Sequence, residues 1–106
     1  MQRRLAMGAV AAALAFGALP AQAQDQARYL AATCANCHGT DGRSAGGGGM
    51  PGLAGLSRTY MIEQMNAFRS GARQATIMHQ LAKGYTDEQI GLLADFFAKQ
   101  KKEANR

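Results

Sequence analysis

Cysteine is scarce in this chain, and tryptophan is absent. The 106 residues hold two cysteines, two prolines and no tryptophan. A disulfide between Cys34 and Cys37 would be strained, and its very short loop would constrain little, so a disulfide-stapled fold is excluded. No apolar run reaches the roughly 20 residues of a membrane-spanning helix. The longest uncharged apolar stretch is Leu5 to Leu19. Strict apolar/polar alternation is missing, which argues against strands. No internal repeat is visible, so the chain reads as one unit. Acidic residues are few: seven Asp+Glu against twelve Lys+Arg, for a net charge of +5. Two of those twelve, Arg3 and Arg4, lie in the N-terminal leader, and the remaining ten against seven give +3. This is not a nucleic-acid-binding composition.

The leader reads as an export signal. Met1-Gln2-Arg3-Arg4 is a basic start, Leu5 to Leu19 is the apolar region, and Ala21-Gln22-Ala23 is an A-x-A cleavage site. Residues 1–23 are expected to be removed, so that the mature chain is a single domain over 24–106 with no stable membrane insertion. The residues after Arg3-Arg4 do not make a twin-arginine signal, so export of an unfolded chain is expected.

What the chain does contain is Cys34-Ala35-Asn36-Cys37-His38. C-x-x-C-H is the attachment pattern of a c-type haem. Residues i and i+3 share a helix face, so both thiols can reach one edge of a porphyrin and add to its two vinyl groups. His38 then lies where its imidazole can bind the iron. A thioredoxin-like redox pair would need a βαβ context that is missing here. A zinc site would need two further ligands, and only His79 remains. One haem c, attached covalently through Cys34 and Cys37 after the chain has reached the periplasm, is the cofactor expected. An 83-residue domain has a marginal core, so the haem-free chain is expected to fold poorly.

The periodicity of the mature chain predicts helices alone. Asp25 is a candidate N-cap for a first helix that carries Cys34 and ends near Cys37-His38-Gly39, with Tyr29, Leu30, Thr33, Cys34 and Cys37 as its stripe. Residues 43–49 are too rich in glycine for a regular element and read as a flexible surface loop. Ser57 caps a helix from Arg58 to about Ser70, with Tyr60, Met61, Gln64, Met65 and Phe68 on one face and Gly71 as its stop. A short helical turn runs from Thr76 to Lys83. Thr86-x-x-Gln89 is a capping box opening the last helix, whose Ile90, Leu93, Ala94 and Phe97 repeat at i, i+3, i+4, i+7. The basic cluster Lys99, Lys101, Lys102 and Arg106 suits the solvated end of that helix. The fold class is all-α, with three to four helices around one haem.

The second axial ligand must come from His79 or from Met50, Met61, Met65 and Met78. Met61 and Met65 lie one turn apart on an amphipathic face and read as core. Met50 precedes Pro51 in a loop close to His38. Met78 lies on no long amphipathic face and is free to approach the other side of the haem, so it is assigned as the distal ligand, with His79 as the alternative.

With these residues in place, the chain resembles a class I cytochrome c across residues 25–100. Cys34-x-x-Cys37-His38-Gly39, Pro51-Gly52-Leu53-Ala54-Gly55, Ser70-Gly71-x-Arg73 and Thr86-Asp87-Glu88-Gln89-Ile90 carry the likeness. Phe68-Arg69-Ser70-Gly71, Ala75-Thr76-Ile77-Met78 and Leu81-Ala82-Lys83-Gly84-Tyr85 are similar to the cytochrome subunit of flavocytochrome c sulfide dehydrogenase and its relatives. The resemblance implies a cytochrome c-like fold, Met78 as axial ligand, and a Pro51 carbonyl turned toward the imidazole of His38. It departs at Ala27, which stands near the expected crossing of the first and last helices, and at His79. The function implied is electron transfer without acid/base catalysis. A flavoprotein dehydrogenase subunit would be the donor, with a further redox protein as acceptor. A free-standing shuttle, or a haem protein with an open distal site and His79 as its base, are the alternatives.

Overall fold

The computed structural model describes residues 19–44 and 50–102. Most of the expected export signal and the glycine run 46–49 lie outside the described residues. Five α-helices and one 3-10 turn make up the described chain, and it contains no strand.

Helix α1 spans Leu19–Ala32. It begins well before Asp25, which is therefore not its N-cap. The alanines and glutamines from Ala21 to Gln26 are adequate helix formers, and Pro20 sits in the first turn, where a missing N–H breaks no helical bond. The helix also ends earlier than the periodicity implies. Thr33 turns its hydroxyl onto the Leu30 carbonyl at 2.8 Å, a local bond that competes with helix continuation. Cys34 is consequently not on α1. It is the N-cap residue of a separate short helix, α2 (Ala35–His38), with φ −70° and ψ −24°. Gly39 at φ 84° ends α2, and a 3-10 turn follows at Thr40–Gly42.

The remaining helices follow their sequence signals. Helix α3 (Arg58–Ser70) starts with the Ser57 hydroxyl accepting the Tyr60 N–H at 3.1 Å and stops at Gly71, which is left-handed at φ 83°. Helix α4 (Met78–Lys83) is a single short segment. Helix α5 (Asp87–Ala98) opens with the complete capping box: Gln89 N–H to Thr86 Oγ1 at 3.1 Å, and Thr86 N–H to Gln89 Oε1 at 3.0 Å.

Helix α5 is the centre of the fold. Leu93, Ala94 and Phe97 are completely buried and Ile90 nearly so. Helix α1 packs on one side of it and α3 on another, and α3 also packs against α4. The α3 face consists of buried Met61, Met65 and Phe68. Tyr60 is exposed rather than part of that face. On α1 the buried residues are Ala27 and Ala31, while Tyr29 is 83% exposed. Small side chains one turn apart let the α1 backbone approach α5 closely, and a tyrosine in that seam would hold the helices apart. Two ion pairs bridge α3 and α5: Arg58 with Asp95 at 2.7 Å and Arg69 with Asp87 at 2.5 Å. Both are largely exposed, so each contributes only about 0–1 kcal/mol.

Among the described glycines, the tightest approach to a distant part of the chain is at Gly42, whose φ is 77°. A Cβ there would lie 2.8 Å from Leu53 Cβ and 2.8 Å from Phe97 Cδ1. Gly71 has a similar φ, with nothing within 4 Å of the same position. The Gly71→Ala variant should lose about 1 kcal/mol, the left-handed backbone cost alone. The Gly42→Ala variant should lose about 2–4 kcal/mol, since overpacking adds to that cost. Denaturant midpoints of the two haem-loaded variants measure the difference, and equal losses would contradict the close approach.

Candidate haem-binding site

The attachment motif occupies a compact turn. Cys34 is half-buried and packs against the core cluster, Cys37 on α2 is exposed, and both thiols are free. His38 N–H bonds to the Cys34 carbonyl at 2.9 Å, which closes one helical turn between the first cysteine and the histidine. The two cysteines thus keep their one-turn spacing although α1 stops short of both.

His38 is 7% exposed, the one polar side chain among the buried described residues. Its Nδ1 lies 2.8 Å from the Pro51 carbonyl oxygen. A carbonyl only accepts, so this bond places the proton on Nδ1 and leaves the Nε2 lone pair free for a metal. The Pro51 position rests on its own scaffold. The Gly42 carbonyl accepts the Leu53 and Ala54 N–H groups at 2.8 and 3.2 Å, and Gly55 N–H donates to the Phe97 carbonyl at 2.8 Å. Ser44 Oγ donates to the Met50 carbonyl at 2.7 Å, and Arg43 Nε to the Lys101 carbonyl at 2.8 Å. The loop that carries Pro51 is therefore bonded to the turn after the motif and to the end of α5.

Met78 is the first residue of α4, half-buried against the same core cluster that Cys34 contacts. Met61 and Met65 lie inside that cluster at 5% exposure each, so their thioethers are committed to packing. Met50 is exposed. His79 follows Met78 and lines a separate cleft between the end of α3 and α4. One contact had no signal in the sequence. The Tyr85 hydroxyl lies 3.0 Å from Thr33 Oγ1, bracing the residue before Cys34 against the α4–α5 turn.

A buried imidazole with its Nδ1 engaged, one helical turn from two free thiols on an all-α scaffold, defines a c-type haem protein. The residues fit the group: two thiols for the vinyl edges and one unprotonated ring nitrogen for the iron. The Cytochrome c family model matches residues 23–101, and the chain belongs to the cytochrome c family. Its members bind haem c covalently and carry electrons, and Cys34 and Cys37 occupy the family's attachment position. The chain is 39% identical over 74 residues to the cytochrome subunit of sulfide dehydrogenase from Chlorobaculum tepidum, covering 70% of this chain and 66% of that one. It is 39% identical over 71 residues to the thiosulfate dehydrogenase electron acceptor of Stutzerimonas stutzeri, covering 67% of this chain and 33% of that protein. It therefore spans just under two thirds of the length of the first relative and a third of the second. Cytochrome c-553 of Nitratidesulfovibrio vulgaris is 31% identical over 102 residues, 99% of its own length.

Burial pushes the Cys34 thiol above its ordinary range, and this outweighs the lowering by the Thr33 hydrogen bond. In haem-free protein kept helical by a stabilising osmolyte near neutral pH, as checked by circular dichroism, alkylation mapped by mass spectrometry should modify exposed Cys37 before Cys34. Raising the pH should narrow the gap. It should also destabilise the haem-free fold, because the unfolded chain ionises Cys34 first and the stability is lost as pH climbs toward the raised folded value. Equal rates at neutral pH would contradict the packing of Cys34 on the core.

Proposed function

We propose that this chain is an exported, monohaem electron carrier with His38 and Met78 as axial ligands. The observation that carries the proposal is the buried His38 ring held by the Pro51 carbonyl. It orients one nitrogen and raises its basicity as a ligand. When bound, the haem would supply a one-electron iron couple, and with His38 and Met78 both holding the iron no position would be left for a substrate. The chain's residues do the rest. Cys34 and Cys37 anchor the ring edge. Pro51 fixes the imidazole. The α5 core, with Leu93 and Phe97, keeps the interior dry.

Met78 at the start of α4, packed against the cluster that Cys34 also touches, supports its assignment to the distal side. Cleavage after Ala23 and attachment in the periplasm follow from the leader. No helix among the described residues is long and apolar enough to cross a membrane. The names of the relatives favour a dehydrogenase of inorganic sulfur compounds as the electron donor, either a flavoprotein sulfide dehydrogenase or a similar enzyme, with a further redox protein as acceptor. Co-purification of a flavin-bearing subunit with the native protein distinguishes a dedicated subunit from a free shuttle.

Substituting Met78→Ala should lower the reduction potential by about 100 mV or more, within the roughly 0.8 V range that axial ligation controls. The reduced variant should bind carbon monoxide quickly and fully, while the parent protein resists it. Spectroelectrochemistry and carbon monoxide titration measure both. An unchanged potential would remove Met78 from the iron, and rapid binding by the parent would favour an open distal site.

A further inference from the structure

The cleft between the C-terminal end of α3 and helix α4 is lined by Arg69, Ser70, Arg73, Gln74, His79 and Lys83 among others, and none of its lining residues is acidic. Arg69 is already engaged, with Asp87 at 2.5 Å and Asn66 at 3.5 Å. Arg73 differs. Its Nη1 donates to the neutral Gln64 Oε1 at 2.6 Å, and its guanidinium carbon lies 4.6 Å from the centre of the Phe68 ring. Its backbone N–H is bonded to the Ala67 carbonyl at 3.1 Å. The Arg73 guanidinium is thus oriented by an amide and a ring face, with no carboxylate of the described residues to neutralise it. Lys83, at the end of α4, likewise pairs with no carboxylate among the described residues. His79 lines the cleft as well, and its Nδ1 is buried with no hydrogen-bond partner.

The Arg73 fork, His79 and Lys83 line one recess. Two positive charges without a carboxylate partner among the described residues thus line it. Such an arrangement is complementary to an anion that presents several oxygens and two negative charges at once. A single carboxylate satisfies the fork and leaves Lys83 unpaired. The recess lies at the surface, so the ligand enters without any rearrangement of the core.

We propose that this cleft binds a small dianionic oxyanion of tetrahedral shape, the class that includes sulfate and thiosulfate, with Arg73 and Lys83 as its principal contacts and Gln74 and His79 as hydrogen-bonding neighbours. The part played by His79 rests on Met78, and not His79, being the distal haem ligand. Neither Arg73 nor Lys83 belongs to the haem-binding set.

Isothermal titration calorimetry of the haem-loaded protein, with sulfate as the probe and sodium chloride holding ionic strength constant, tests this. The expected result is saturable one-to-one binding of sulfate, with no saturable binding of acetate. Losing one charge-assisted partner should weaken sulfate by about tenfold in Arg73→Gln and in Lys83→Gln. An unchanged haem absorption spectrum and helical circular dichroism establish that each variant is folded. If Arg73→Gln is not folded, Lys83→Gln alone decides. Absence of saturable sulfate binding, or equal affinity in the folded variants, overturns the proposal.

Discussion

The proximal side of the site depends on how closely the chain at Gly42 approaches α5. That residue has no side chain and a left-handed backbone, so its carbonyl can accept two N–H groups from the Leu53–Ala54 turn while its Cα lies against Phe97. The contact fastens two loops to the most buried helix at once. One loop descends from the haem-attachment turn, and the other carries Pro51. With both fastened, the Pro51 carbonyl meets His38 Nδ1 at 2.8 Å. The orientation of the His38 ring is therefore a consequence of core packing some distance away, transmitted in large part through the backbone hydrogen bonds of Gly42, Leu53 and Ala54.

Helix α5 in turn needs its neighbours to come close. On α1 this is achieved by Ala27 and Ala31, and on α3 by two methionines and Phe68 that adapt to the space left. A domain of this size has little apolar surface to spare. The haem adds to it, and the half-buried residues Leu30, Cys34, Leu53 and Met78 are positioned around the cluster to share in that burial. Structure and cofactor are thus coupled: Cys34, one of the two attachment cysteines, is also at the edge of the core.

Much of this was legible in the sequence because the signals are local. Ser57, Gly71, Thr86 and Gln89 mark helix ends by hydrogen bonds within four residues, and α3 begins and ends, and α5 begins, where those residues imply. The i, i+3, i+4, i+7 pattern of Ile90, Leu93, Ala94 and Phe97 picked out the buried face without error. The first helix was misread for a physical reason. Its buried face is defined by small residues chosen for close approach, and a hydropathy stripe favours Tyr29 and Leu30 instead. Its end is set by the Thr33 hydroxyl, which turns back on the Leu30 carbonyl and reaches Tyr85 across 52 residues of chain. No local pattern encodes such a pairing. The role of Gly42 is equally non-local, since only the folded chain brings Leu53 and Phe97 against it.

The central claim is that one methionine, Met78, completes the coordination begun by His38. Proton NMR of the reduced, haem-loaded protein tests it most directly, because a thioether bound to the iron sits over the ring and its methyl resonance moves strongly upfield. The account predicts a single methionine methyl so shifted, lost in Met78→Leu and retained in Met61→Leu, together with a slowly exchanging His38 Nδ1 proton. A shifted methyl that survives the loss of Met78, or the absence of any shifted methyl, would contradict it.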